Sequence, residues 1–81
     1  MSDELIQKVR TVIANTQRIP IEKITIDSSF EELGIDSMTR IECVFSLEDA
    51  FHVEISESEL SRLQTVQDVI NTVSNALAVV Q

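Results

Sequence analysis

Apolar residues Leu5, Ile6, Val9, Val12 and Ile13 recur at helical spacing and predict a helix over residues 3–15. Ser2 can cap its start, and Asp3 and Glu4 suit the positive end of the helix dipole. Asn15-Thr16 and Pro20 mark its stop. The helical period then breaks over residues 16–36. Ile19, Ile21, Ile24, Ile26, Phe30 and Leu33 still supply apolar anchors there, so the segment reads as an ordered loop rather than a linker. Ile24-Thr25-Ile26 has strand-like character but no evident partner strand. Ser29-Phe30-Glu31-Glu32 has the spacing of a capping box and predicts one short helical turn. Gly34 permits a backbone conformation that other residues resist.

A second helix is expected over residues 37–51. Ile41, Val44, Phe45 and Phe51 fall on one side of it, with Leu47 close by and Met38 at the edge. Residues 52–56 form a short linker containing Val53 and Ile55. Ser56-Glu57-Ser58-Glu59 is another capping box and opens a short third helix ending near Leu63. Thr65-Val66-Gln67-Asp68 caps the last helix, with an acid in place of the usual Glu or Gln. Val66, Val69, Ile70, Val73, Leu77 and Val80 give that helix a stripe to about residue 78. The expected fold is therefore all-α: one domain over residues 1–81, a small four-helix bundle of three main helices and one short helix. The long loop after the first helix is unusual, because loops of that length tend to be functional.

Composition narrows the function. The chain has 81 residues, is 43% hydrophobic, and has three phenylalanines but neither tryptophan nor tyrosine, so aliphatic side chains must build most of the core. One cysteine cannot form an internal disulfide, and Cys43, His52 and scattered acids are too sparse for a metal site. No apolar run approaches the ~18 residues that span a membrane, and the first residues do not read as a signal peptide. These features favour a soluble protein of a reducing compartment, most simply the cytoplasm. Fourteen acids against six bases leave a net charge of -8. The excess is uneven: residues 42–81 carry seven acids and only Arg62 as a base. Nucleic acid is disfavoured as a partner, whereas a basic protein surface would be attracted. Solubility alone also accounts for such a charge.

The candidate chemistry lies in "GIDSM", residues 34–38. Asp36 is the expected N-cap of the second helix, which leaves the hydroxyl of Ser37 free at the helix start. A phosphate ester there would meet backbone N–H groups and the positive dipole end. Met38 stands beside the hydroxyl, where a partner can touch it. Helix capping alone also explains an Asp-Ser pair. A nucleophilic enzyme is a poor alternative, because the sole histidine, His52, lies at the far end of the helix, roughly 20 Å away, and a triad cannot close over that distance. If Ser37 is used chemically, another protein modifies it.

The stretch "FEELGIDSMTRIECVFSLEDAFHVEIS" resembles the central segment of acyl carrier proteins, and "TVQDVINTV" extends the likeness over nearly the whole chain. It is carried by Gly34, Asp36, Ser37 and Met38, then Leu47, Glu48 and Phe51, then Glu54 and Ile55, then Thr65, Val66 and Asp68. The resemblance implies a four-helix fold in which Ser37 carries 4′-phosphopantetheine, installed from coenzyme A by a phosphopantetheinyl transferase. It gives Asp36 a part in metal binding during that transfer. It makes the second helix the recognition surface, with Met38, Arg40, Glu42, Phe45, Glu48 and Asp49 as candidates and Glu54, Glu57 and Glu59 extending the acidic face. Phe45 is expected at the edge of an acyl pocket or in the core. The partners implied are acyl-loading or acyl-transferring enzymes with basic docking surfaces. No catalytic residue, bound metal, nucleic acid or membrane insertion is expected, and the carrier is expected to be a monomer.

The sequence also departs from the pattern. Thr39 and Arg40 stand where carriers of fatty-acid synthesis commonly begin with another acid, and Arg40 adds a positive charge to the recognition helix. This favours a specialised carrier for fatty-acid, polyketide or lipid synthesis. Cys43 reads as a small buried hydrophobe and His52 as a helix-end residue. Two other readings remain open: a freestanding aminoacyl or peptidyl carrier, and an unmodified helical domain that binds a basic partner.

Overall fold

The computed structural model describes residues 3–79. The helices are α1 (Asp3–Gln17), α2 (Ser37–Phe51), α3 (Glu57–Leu60) and α4 (Val66–Val79), with one 3-10 turn at Ile21–Lys23. Helix α1 packs on both α2 and α4. The shared core takes Val9 and Ile13 from α1, Cys43, Val44 and Leu47 from α2, and Val66, Val69, Ile70 and Val73 from α4. This is the expected all-α bundle. Ser2 and Val80 lie outside the described residues.

The caps follow local chemistry. Asp36 Oδ1 accepts from the Thr39 backbone N–H at 2.9 Å, and α2 starts at Ser37 as the spacing predicts. Ser56 Oγ accepts from Glu59 N at 3.3 Å. Thr65 and Asp68 cap each other's N–H groups at 3.1 and 3.2 Å, so the acid does take the place of Glu or Gln. Two helix ends differ from expectation. Helix α1 runs to Gln17, because Arg18 turns left-handed (φ 56°) and lets Ile19 N–H bond back to Ala14 O at 3.1 Å. Helix α3 stops at Leu60 rather than near Leu63, and the chain continues in tighter turns that bond Arg62 N to Glu59 O and Leu63 N to Leu60 O.

The loop between α1 and α2 is ordered by three of its apolar residues and by long-range hydrogen bonds. Ile24, Phe30 and Ile35 are buried in the shared core. Arg10 of α1 donates from Nε to Ile24 O at 2.6 Å and from Nη2 to Ile21 O at 2.9 Å. The N–H groups that open α4 have no partner within their own helix. They bond across to the loop instead: Val66 N to Ser28 O at 2.9 Å and Gln67 N to Ile26 O at 3.0 Å. Phe30 N completes the seam by donating to Gln64 O at 2.8 Å, and Ser29 and Thr65 form an isolated antiparallel bridge. Within the loop, Ser29 and Glu32 form the expected reciprocal capping box, at 2.9 and 3.0 Å.

The buried side of α2 is not the one the pattern suggests. Cys43, Val44 and Leu47 face the core, whereas Ile41 is 38% exposed and Phe45 64%. Phe45 is therefore not a core residue. Helix α2 carries apolar residues around most of its circumference, so periodicity does not select the inward face.

Candidate functional site

The start of α2 is built by its preceding turn. Ile35 is buried, and its N–H bonds to Phe30 O at 2.8 Å, which anchors the chain just before the helix. Gly34 makes the turn at φ 75°, and beyond its two chain neighbours nothing stands within 4 Å of where a Cβ would be. The space beside the helix start is open on that side. Asp36 then caps α2 through Thr39, whose hydroxyl also donates to Asp36 Oδ1 at 3.0 Å. The Thr39 amide and, after it, the Thr39 hydroxyl hold the Asp36 carboxyl below its ordinary value, so it stays ionised at neutral pH.

Ser37 is the first residue of α2 and is exposed. With the cap supplied by Asp36, its hydroxyl has no hydrogen-bond partner among the described residues. Ser37 lines a cleft of about 330 Å³ together with Arg40, Ile41, Glu57, Leu60 and Ser61. The site fits a covalently attached phosphate arm: a free exposed hydroxyl, open space at Gly34, a guanidinium one turn along, and Ile41 and Leu60 as apolar wall. Among the described residues, no three His, Cys, Asp or Glu side chains cluster to hold a metal ion.

The remaining candidate residues separate into groups. Met38 is 74% exposed and lies with Ile41 and Phe45 along one outward strip of α2, spaced three and four residues apart. Glu42 and Asp49 are exposed. Glu48 is turned towards the following linker, where its Oε2 accepts from Ile55 N–H at 2.8 Å. Arg40 is half-buried: Nη1 donates to Leu63 O at 2.6 Å, and the guanidinium lies 5.9 Å from the centre of the Phe30 ring. A larger cleft, about 540 Å³, lies at the other end of α2 between Glu48, Asp49, His52, Val53, Glu54, Glu59 and α4. Neither Ser37 nor Asp36 lines it, and His52 ends α2 there in a left-handed conformation (φ 56°), exposed to solvent. Sequence reasoning did not find Glu57, Leu60 and Ser61 as neighbours of the serine. No local signal marks them, because α3 reaches the site only through the tertiary fold.

Residues 7–73 match the model of a family described as "Phosphopantetheine attachment site". The chain is similar to an acyl carrier protein of Thermosynechococcus vestitus, 37% identical over 93% of this chain and 94% of that protein. It is also similar to an acyl carrier protein of Rickettsia bellii, 40% identical over 85% of this chain and 81% of that protein. The crystal structure of an acyl carrier protein from Thermotoga maritima superposes with a TM-score of 0.86 at 29% identity, covering 96% of this chain and 92% of that one.

Proposed function

We propose, because the chain belongs to the acyl carrier family of phosphopantetheine-bearing domains, that Ser37 is the residue to which the arm is attached. The family makes the chain a carrier rather than an enzyme, with 4′-phosphopantetheine as its cofactor. The observation that carries the assignment is the exposed Ser37 hydroxyl, which no described residue engages, next to a carboxylate that already performs the cap. In the transfer, Ser37 Oγ forms a bond to the phosphorus that carries the pantetheine in coenzyme A. The pyrophosphate P–O bond breaks, adenosine 3′,5′-bisphosphate leaves, and the serine proton passes to a base of the transferase or to water. Asp36 remains ionised and is exposed to solvent, which suits it to the transferase's metal. The arm supplies a terminal thiol that holds acyl groups as thioesters.

The rest of the chain serves placement and recognition. Met38, Ile41 and Phe45 offer partners an apolar strip, with the acids Glu42 and Asp49 exposed on the same helix. Such a surface suits enzymes with a basic docking face around an apolar contact. The cargo class we infer is acyl, in a specialised fatty-acid, polyketide or lipid pathway, supported by Thr39 and Arg40 at the head of the recognition helix. A monomer in a reducing compartment, most simply the cytoplasm, belongs to the same proposal, and the lone buried thiol of Cys43 supports that compartment.

The test is intact mass after incubation with coenzyme A, magnesium and a broad-specificity phosphopantetheinyl transferase. The wild type should gain one phosphopantetheine and Ser37→Ala none. A loaded Ser37→Ala protein, or an unmodified wild type beside a modified control carrier, would reject the assignment.

A further inference from the structure

Arg40 stands one helical turn after Ser37, and both side chains line the same cleft of about 330 Å³. Two contacts fix its guanidinium. Nη1 donates to the Leu63 carbonyl at 2.6 Å, which ties the start of α2 to the turn before α4. The planar group also lies 5.9 Å from the Phe30 ring centre. A guanidinium has five N–H donors, and one is used. Among the described residues no buried side-chain nitrogen or oxygen lacks a partner, so the unbonded guanidinium nitrogens are not sealed from solvent. Glu57 lines the same cleft and Glu31 the neighbouring one, yet neither forms an ion pair with Arg40. In a chain of net charge -8, the half-buried cation at the attachment point is thus left without a carboxylate.

We infer that Arg40 is a positioning residue for the arm: its unused N–H groups hold the phosphodiester on Ser37 and direct the arm along the cleft between α2 and α3. The inference rests on Ser37 as the attachment site. Arginine suits the task because its fixed fork pairs with phosphate oxygens, and the Leu63 and Phe30 contacts have already ordered it. Its charge is then also used beside the serine. Leu60 and Ile41 form the apolar side of the path it sets.

The test begins with intact mass, to establish that wild type, Arg40→Gln and Arg40→Lys each carry one arm. Nitrogen–proton NMR of the arginine side chains then compares the wild type before and after loading. The Arg40 Nε–H signal should shift, while those of Arg10, Arg18 and Arg62 stay in place. Phosphorus NMR of the loaded proteins should place the Arg40→Gln phosphodiester away from the wild-type position, with Arg40→Lys between them. An Arg40 signal unmoved by loading would overturn the inference, as would identical phosphorus positions in wild type and Arg40→Gln. If the wild type gains no mass, the attachment assignment falls and this inference with it. A mass gain without the NMR shifts removes the Arg40 role alone. The comparison within the wild type needs no variant, so poor folding of Arg40→Gln does not block the test.

Discussion

Glu48 of α2 accepts a hydrogen bond from the backbone N–H of Ile55 through Oε2, at 2.8 Å. The contact closes the linker that follows α2 onto the helix itself. It gives Glu48 a structural task in addition to any part in recognition. Hydrogen bonds to charged groups contribute about 1.5–3 kcal/mol, and a part-buried N–H left without an acceptor carries its own penalty. Glu48→Ala should lose about 1–2 kcal/mol in urea denaturation, and Glu48→Gln, which retains an acceptor, less than half of that. Equal losses for the two variants would show that the charge, not the hydrogen bond, matters.

Phe45 and Leu47 are two residues apart and should respond oppositely. Leu47 is fully buried and Phe45 is 64% exposed. Leu47→Ala should cost about 2–5 kcal/mol, enough to threaten folding of so small a domain. Phe45→Ala should change stability by no more than about 0.5 kcal/mol while slowing acyl transfer by partner enzymes. Chemical denaturation and a loading assay on the same samples separate the two effects. A large stability loss for Phe45→Ala would place that ring in the core after all.

Acid should weaken the start of α2 and the loop before it. The carboxyl of Asp36 sits below its ordinary 3.8, and that of Glu32 below 4.5, because Thr39 and Ser29 N–H groups bond to the ionised forms. For a group depressed in the folded state, the stabilisation is complete above the unfolded-state value and is lost as pH falls through the folded-state value. Stability should therefore decline as pH drops below about 4. Asp36→Asn keeps an oxygen for the Thr39 N–H but does not titrate. Its stability, followed by circular dichroism from neutral pH to about 3, should fall less than that of wild type. Parallel profiles would exclude the cap as a titrating element.

Cys43 should leave thioester chemistry to the arm. It is fully buried, and burial pushes its thiol up to about 11. A thiol that is inaccessible and protonated at neutral pH is a poor nucleophile. The native protein without the arm should give no rapid reaction with a thiol reagent, the loaded protein one, and the unfolded protein without the arm one. Rapid labelling of the native unloaded protein would mean that Cys43 competes for acyl groups.

Gly34→Ala should be costly for a conformational reason only. The residue sits at φ 75°, and beyond its two chain neighbours nothing stands within 4 Å of the added Cβ. The left-handed region costs an L-residue about 1–2 kcal/mol, and urea denaturation should show a loss of that size. A loss well above this would mean that the turn before Ser37 has to rearrange.

Much of this protein was legible in the sequence because the relevant interactions are local. The cap of Asp36 on Thr39, the Ser29–Glu32 box and the Thr65–Asp68 box each join residues three apart, so the order of residues suffices to predict them. The same locality places Ser37 at the start of a helix with Gly34 before it. Tertiary structure decided what depends on distant parts of the chain. The Arg40 bond to Leu63 spans 23 residues, and the loop is sewn to α4 by Phe30, Val66 and Gln67. The inward face of α2 is a choice of the same kind. Cys43, Val44 and Leu47 are buried, while Met38, Ile41 and Phe45 are left outside, because packing against α1 and the rest of the shared core removes only one side of the helix from water. A helix apolar around most of its circumference holds little internal preference between those sides, so its neighbours settle which residues build the core and which stay exposed.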